Sequence, residues 1–501
     1  MRILLVHPNH HSPDADLSGN WPPAWAACLA GALRAAGHGD VSFIDAASEG
    51  LSEQALCARI AAAAPEVIGV SAMTPSIREA ESVLRIARQL NPAMITILGG
   101  VHATFMYQQV LAEAPWIDVI VRGEGEEVLV ALMDAILAGR WPAARHELAG
   151  IAFTEESETG PRIIATPAAP GSTRLDTLRP DWGIMRWEKY RHFALDCRAA
   201  VVSMSRGCAF TCAFCSQWKF WRDHRVRDPR KLVDEIADLF RTHDVRFFRL
   251  ADEEPTLHRR KFIEFCKLLI ARDLPRHVQW GINARVTDIL RDEQFLPLYR
   301  KAGLIHVSLG TDSASQLRLD GVGREARAAR NRRAITLLRK AGIVVEAQFI
   351  VGLQNESAHS IEETFRLTRK WKPDLAIWSM FTPWPFSSPF RELRGSIEIL
   401  DFSSYDFMTP VLRPRAMDRT ELFERVRRGR RRFHLRKLLL SYLWPGRDPR
   451  RRYLRACLRA RIRAEHAHRP AATSEERAPA MAGTQRHQTT IGYCLKDNAA
   501  W

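Results

Sequence analysis

Long apolar stretches are missing from this chain. No run of 18 or more apolar residues occurs among its 501 residues, so no membrane-spanning helix is predicted. The opening residues Met1-Arg2, followed by Ile3-Leu4-Leu5-Val6, lack the layout of a secretory signal. Cysteine is scarce. Nine residues in so long a chain do not make a disulfide scaffold, and a reducing, cytoplasmic compartment is expected. Negative charge is locally short as well. Residues 413–469 hold 20 Lys/Arg against 5 Asp/Glu, so this stretch carries +15 of the net +16. The remainder is nearly neutral, and basicity belongs to one C-terminal region. No groove-reading or base-stacking module accompanies it, which argues against a nucleic-acid partner. The length implies roughly two to four domains.

Three of the few cysteines stand together. Ser205-Arg206-Gly207-Cys208-Ala209-Phe210-Thr211-Cys212-Ala213-Phe214-Cys215 places them at C-x3-C-x2-C spacing, directly after the β-rich run Ala200–Met204. Three thiolates on one loop can hold three irons of a cubane. A 4Fe–4S cluster normally takes four protein ligands, so one iron is left open to a small chelating molecule. The competing readings are a zinc site or inert core thiols. Zinc sites usually bring a second C-x2-C pair, and none is present. The spacing, with an aromatic residue before the third cysteine, resembles the radical S-adenosylmethionine (SAM) superfamily. That resemblance implies a 4Fe–4S cluster on Cys208, Cys212 and Cys215. SAM would sit on the open iron and be split by one electron to a 5′-deoxyadenosyl radical.

Residues 1–145 alternate strand-like and helix-like segments, with strands expected at Arg2–His7, Val41–Ala46, Val67–Met73, Ile95–Gly100 and Val119–Gly125. Such alternation predicts a doubly wound parallel α/β sheet of flavodoxin type, which binds ligands at its strand carboxyl ends. Next to the cysteine motif, this half resembles the cobalamin-binding domain of cobalamin-dependent radical SAM enzymes. Gly99-Gly100-x-His102-x-Thr104 and Arg122-Gly123-Glu124-Gly125-Glu126 carry the likeness, and imply cobalamin contacts at Gly99, Gly100, His102 and Thr104. The D-x-H-x-x-G signature that supplies a cobalt ligand in many cobalamin proteins is absent, so His102 is not assigned to cobalt.

Residues 146–195, punctuated by Pro161, Pro167, Pro170 and Gly171, read as a connector with a small hairpin. Residues 196–405 repeat strand and helix six times, matching the partial (β/α)6 barrel that the resemblance implies. Chemistry in barrels gathers at strand carboxyl ends. Asp252 and Glu253 suit the ammonium of SAM, and Arg285 its carboxylate. Ser308 and Asp312 suit the ribose or amino-acid end, and Phe214 the adenine. The alternative for each is a solvated loop charge or an ordinary core aromatic. Residues 406–470 are expected to form a basic helical region, with a helix over Thr420–Trp444. Residues 471–501 form a polar tail expected to be disordered.

A narrower likeness lies in Cys215-Ser216-Gln217-Trp218-Lys219-Phe220-Trp221-Arg222-Asp223, Gly19-Asn20-Trp21-Pro22-Pro23-Ala24-Trp25, Leu250-Ala251-Asp252-Glu253-Glu254-Pro255-Thr256 and Thr382-Pro383-Trp384-Pro385-Phe386. These resemble the anaerobic magnesium-protoporphyrin IX monomethyl ester cyclases. The likeness implies oxygen-independent closure of the isocyclic ring of bacteriochlorophyll, with water as oxygen source. It also implies a magnesium-porphyrin substrate and an electron donor such as a ferredoxin or flavodoxin. A flat tetrapyrrole calls for an aromatic pocket with few polar anchors. Trp218, Phe220, Trp221, Trp378, Phe381, Trp384 and Phe386 are candidates for its walls, with core packing as the other reading. The basic region is read as a helix packed on the barrel, or as a peripheral contact with an anionic membrane. A cobalamin-dependent methyltransferase and a basic RNA-binding protein are the alternative functions.

Overall fold

The computed structural model describes residues 1–10, 18–212, 215–311, 324–443 and 450–467. The first eight strands are β1 (Ile3–His7), β2 (Gly19–Asn20), β3 (Val41–Asp45), β4 (Val67–Ser71), β5 (Ile95–Gly99), β6 (Val119–Val121), β7 (Ile151–Ser157) and β8 (Gly160–Ala165). All but β2 form one sheet in the order β3-β1-β4-β5-β6-β7-β8. The five strands from β1 to β6 in this sheet are parallel, as anticipated. The inner runs β1, β4 and β6 are largely apolar because helices cover both faces, while the edge strand β3 exposes Ser42. Ile3, Leu4, Leu5 and Val6 are all buried. The hairpin expected in the connector forms as β7 and β8 and joins this sheet antiparallel.

The second sheet is built from β9 (Arg191–His192), β10 (Cys197–Val202), β13 (Val245–Leu250), β14 (Gln279–Arg285), β15 (Leu304–Gly310), β16 (Val344–Val351) and β17 (Leu375–Met380). A separate two-stranded ribbon pairs β11 (Ser205–Arg206) with β12 (Arg225–Val226). The large sheet runs β17-β16-β15-β14-β13-β10-β9-β2. Its six long strands are parallel and supply the six βα units expected. The short strand β2 crosses over from the N-terminal segment and pairs antiparallel with β9. Gly19 permits that crossing, since a Cβ there would lie 2.4 Å from the Arg191 carbonyl oxygen.

The C-terminal region packs on this half-barrel. Helix Arg419–Tyr442 buries Leu422, Val426, Phe433 and His434. Its Gly429 admits the Phe365 ring, where a Cβ would meet ring carbons at 2.1 Å. A second helix, Arg450–Ala467, packs Tyr453, Leu454 and Leu458 against Ala199, Phe247, Ile305, Val344 and Leu375. These partners lie towards the amino ends of the parallel strands, so the helix closes the floor of the barrel.

Candidate active site

The strand carboxyl ends of both sheets face one cavity of about 1270 Å³. It exceeds the usual range of roughly 300–1,000 Å³ for a small-molecule pocket. Cys208, Cys212 and Cys215 all line it and all are free thiols. Their loop leaves the ribbon strand β11, and the Cys215 amide donates to the Cys212 carbonyl at 3.0 Å. The Trp218 indole donates to the same carbonyl at 3.2 Å. Burial, with Glu253 nearby, pushes the Cys208 and Cys215 thiols up. Among the described residues no three His, Cys, Asp or Glu side chains are grouped to hold a single metal ion. Three thiols on one turn at a cavity wall form a soft donor set that fits separate irons of one cluster.

Of the residues expected to hold SAM, Glu253 and Arg285 line the cavity. Glu253 is pushed up to about 7 by burial, with Asp252 adding to it. Arg285 ends β14 and lies 3.5 Å from the Phe210 ring centroid. Asp252 does not line the cavity. Its carboxylate accepts from the Met204 amide at 2.9 Å and from the amide and hydroxyl of Ser205. It therefore braces the start of the cysteine loop from behind. Ser308 also lies away from the cavity, buried between Glu346 at 3.2 Å and Arg249 at 3.3 Å. Phe214 and Asp312 lie outside the described residues.

Glu254, part of the acidic stretch noted in the sequence but not singled out for SAM, lines the cavity beside Glu253. Thr256 Oγ1 lies 3.0 Å from Glu254 and 2.9 Å from Asp288. Burial first, and the Asp288 carboxylate second, push Glu254 up to about 8. Glu254 therefore keeps its proton into the neutral range. Its signal in the sequence was the unbroken acidic triplet Asp252-Glu253-Glu254 at a strand end.

The first sheet offers His7, His10, Asp45, Ala47, Ser48, Met73, Thr74, Pro75, Ser76 and Val101 to the cavity. Gly99, Gly100, His102 and Thr104 are not among them. The reason is packing. Gly100 has φ +95°, and a Cβ there would meet the Ala72 backbone at 2.4 Å, so it serves a tight turn. His102 is buried against Thr74 at 3.1 Å, and burial pushes it down to about 3. Thr104 accepts from the Gly123 amide at 2.9 Å. Ala47, Ser48, Thr74, Ser76 and Val101 on this wall have short side chains, which fits a large planar ring resting on the sheet. His7 Nδ1 accepts from the Trp25 indole at 3.4 Å, which leaves the proton of the neutral ring on Nε2.

Phe381, Trp384, Phe386 and Phe407 add an aromatic flank to the cavity. Trp384 and Phe386 are stacked at 6.4 Å, and Phe386 stacks on Phe105 at 4.7 Å. Trp378 is core, fully buried between Phe349, Phe365 and Phe433. Trp218, Phe220 and Trp221 stand outside the cavity lining.

Comparisons with known proteins agree with this geometry. Residues 14–133 match the B12 binding domain family and residues 202–368 the radical SAM superfamily. An anaerobic magnesium-protoporphyrin IX monomethyl ester cyclase from Rubrivivax gelatinosus is 55% identical, over 92% of this chain and 82% of the relative. A protein of the same name from Cereibacter sphaeroides is 53% identical, over 93% and 75% respectively. The radical SAM methyltransferase TsrM from Kitasatospora setae, solved with cobalamin and a 4Fe–4S cluster bound, aligns at TM-score 0.67 with 17% identity. That alignment covers 93% of this chain and all of TsrM, and shows a shared fold. With a B12-binding sheet and a radical SAM half-barrel facing one cavity, and more than half its residues shared with a curated relative, the chain belongs to the family of anaerobic magnesium-protoporphyrin IX monomethyl ester cyclases.

Proposed function

We propose that this protein closes the isocyclic ring of magnesium-protoporphyrin IX 13-monomethyl ester without molecular oxygen, giving a protochlorophyllide with oxygen drawn from water. The observation that carries the reading is the single cavity that joins the three-thiol loop, the first sheet and an aromatic flank. Cys208, Cys212 and Cys215 hold the cluster, and the open strand ends of the first sheet hold cobalamin. Bound there, the cluster with SAM supplies a radical strong enough to take hydrogen from an unactivated side-chain carbon, and cobalamin supplies a second redox centre.

The chain's own residues then bind and orient. Arg285 pairs with the carboxylate of SAM, and Glu253 and Glu254 face its ammonium. Phe381, Trp384 and Phe386 flank the porphyrin. Arg330, on helix Arg324–Lys340, lines the same cavity with no ion pair among the described residues. The monomethyl ester keeps one free propionate, and Arg330 is its anchor on this reading. A small electron-transfer protein such as a ferredoxin or flavodoxin supplies the electron.

No helix among the described residues is long and apolar enough to cross a membrane. At the end of helix Arg419–Tyr442, Leu439 and Leu443 are 67% and 78% exposed among arginines. This patch suits peripheral contact of a cytoplasmic protein with an anionic bilayer.

The test is anaerobic reconstitution with iron, sulfide and cobalamin, followed by incubation with the porphyrin ester, SAM and reductant. Ring closure with deoxyadenosine release is expected, and Cys212→Ala abolishes both. Methylated porphyrin without ring closure would instead assign the methyltransferase alternative.

A further inference from the structure

Two stretches that the sequence associates with different cofactors hold each other instead. The segment Arg122–Glu126 follows β6, and its carboxylates were read as part of the cobalamin likeness. Neither Glu124 nor Glu126 lines the cavity. Arg206, two residues before Cys208, donates through Nη1 to Glu124 at 2.6 Å and through Nη2 to Glu126. Arg225, on the partner strand β12, donates to the other oxygen of Glu124 and to the Ser172 carbonyl at 2.5 Å. The side chains are 14% exposed for both arginines and 7% for both glutamates. Two cations thus alternate with two anions in a buried, neutral row, Arg225–Glu124–Arg206–Glu126.

The row sits where the fold needs a clamp. The ribbon β11–β12 is two residues long on each side and brackets the whole three-cysteine loop. A ribbon that short is not held by its own ladder. Its neck is tight as well. Gly207 has φ +89°, and a Cβ there would lie 2.1 Å from the Asp223 carbonyl oxygen. Each ribbon strand sends one arginine to the segment Glu124–Glu126, which joins β6 of the first sheet to helix Glu126–Leu137. Buried ion pairs add little net stability over apolar packing, but they fix geometry.

We infer that Glu124 and Glu126 are positioning residues, which through Arg206 and Arg225 fix the cluster-bearing loop against the cobalamin-binding sheet. The inference rests on the assignment of Cys208, Cys212 and Cys215 to the cluster. It gives a physical role to carboxylates that stand outside the cavity lining.

The test uses Glu124→Gln and Glu126→Gln, singly and together, in the full chain. In holoenzyme, pulsed paramagnetic resonance reads the distance distribution between the reduced cluster and cobalt(II). One narrow distribution is expected for the parent protein, and a broadened one for the double variant at unchanged iron and sulfide content. In cofactor-free protein, amide exchange over residues 205–226 is expected to speed by about tenfold or more while the β1 and β4 amides keep their rates. An unbroadened distribution, or equal acceleration throughout the first sheet, overturns the inference and leaves a general stabilising role. A parent protein that shows no cluster signal at all fails earlier, at the cysteine assignment, and takes the inference with it.

Discussion

Arg461→Met tests how the barrel floor is held. Arg461 reaches up from helix Arg450–Ala467 and pairs with Glu346 of β16 inside the barrel. Glu346 is 5% exposed at its side chain, and its second oxygen lies 3.2 Å from the Ser308 hydroxyl. His306 is 3.6 Å away, but burial pushes that imidazole down to about 3, so it is neutral and offers no counter-charge. Replacing Arg461 by methionine keeps the bulk and strands a buried carboxylate. Breaking a buried pair from one side costs about 3–5 kcal/mol. At about 1.4 kcal/mol per decade, amide protection in β15, β16 and the floor helix should fall by about a hundredfold to several thousandfold. The double variant Arg461→Met/Glu346→Gln removes both charges and should recover most of that loss, because the two sites are directly coupled. Native-state hydrogen exchange reads both. If the single variant loses less than about tenfold, or the double variant loses as much as the single, the pair does not hold the floor.

Arg330→Gln should weaken binding of the monoester porphyrin by about ten- to a hundredfold, the worth of one charge-assisted contact, and leave the porphyrin with both propionates esterified unaffected. Fluorescence titration of the two pigments checks this, and equal losses for both would remove Arg330 from the carboxylate. Glu254→Gln should flatten the pH dependence of stability between about 4.5 and 8. Because Glu254 titrates higher when folded, at about 8, its stabilising share is full in acid and is lost as pH rises through that window. Thermal melting of the cofactor-free protein across that range decides it, and parallel profiles for parent and variant would refute it. Leu439→Ser/Leu443→Ser should cut sedimentation with phosphatidylglycerol vesicles severalfold and leave the negligible binding to phosphatidylcholine unchanged. Equal sedimentation of parent and variant would discard the patch as a bilayer contact.

The strands and the cysteine loop were legible because their signals are local. An apolar run such as Ile3–Val6, too short for a helix and followed by His7-Pro8-Asn9, reads as a strand covered on both faces, and three thiols within eight residues declare themselves. Which side of a wall a residue faces is not local. Asp252 and Glu253 are neighbours at one strand end, yet Asp252 turns back to the amides of Met204 and Ser205 while Glu253 faces the cavity. Glu346 carries a signal that could have been read. In β16 the run Val344-Val345-Glu346-Ala347-Gln348 sets polar groups two apart in an otherwise apolar strand, which marks an inward polar row. The floor helix hid behind its charge. Its buried face is Tyr453, Leu454, Leu458 and Arg461 amid arginines, and composition alone averaged that face away.

The crossing of β2 has a consequence for how such enzymes can be taken apart. Gly19 and Asn20 are made early, yet their pairing partners Arg191 and His192 emerge about 170 residues later. The nascent first half therefore carries a dangling thread until the second half begins to form. Severing the gene at the connector would leave one product with an unpaired tether and the other with an open seam at β9. Shuffling this half onto a foreign catalytic half would demand a matching stitch at β9.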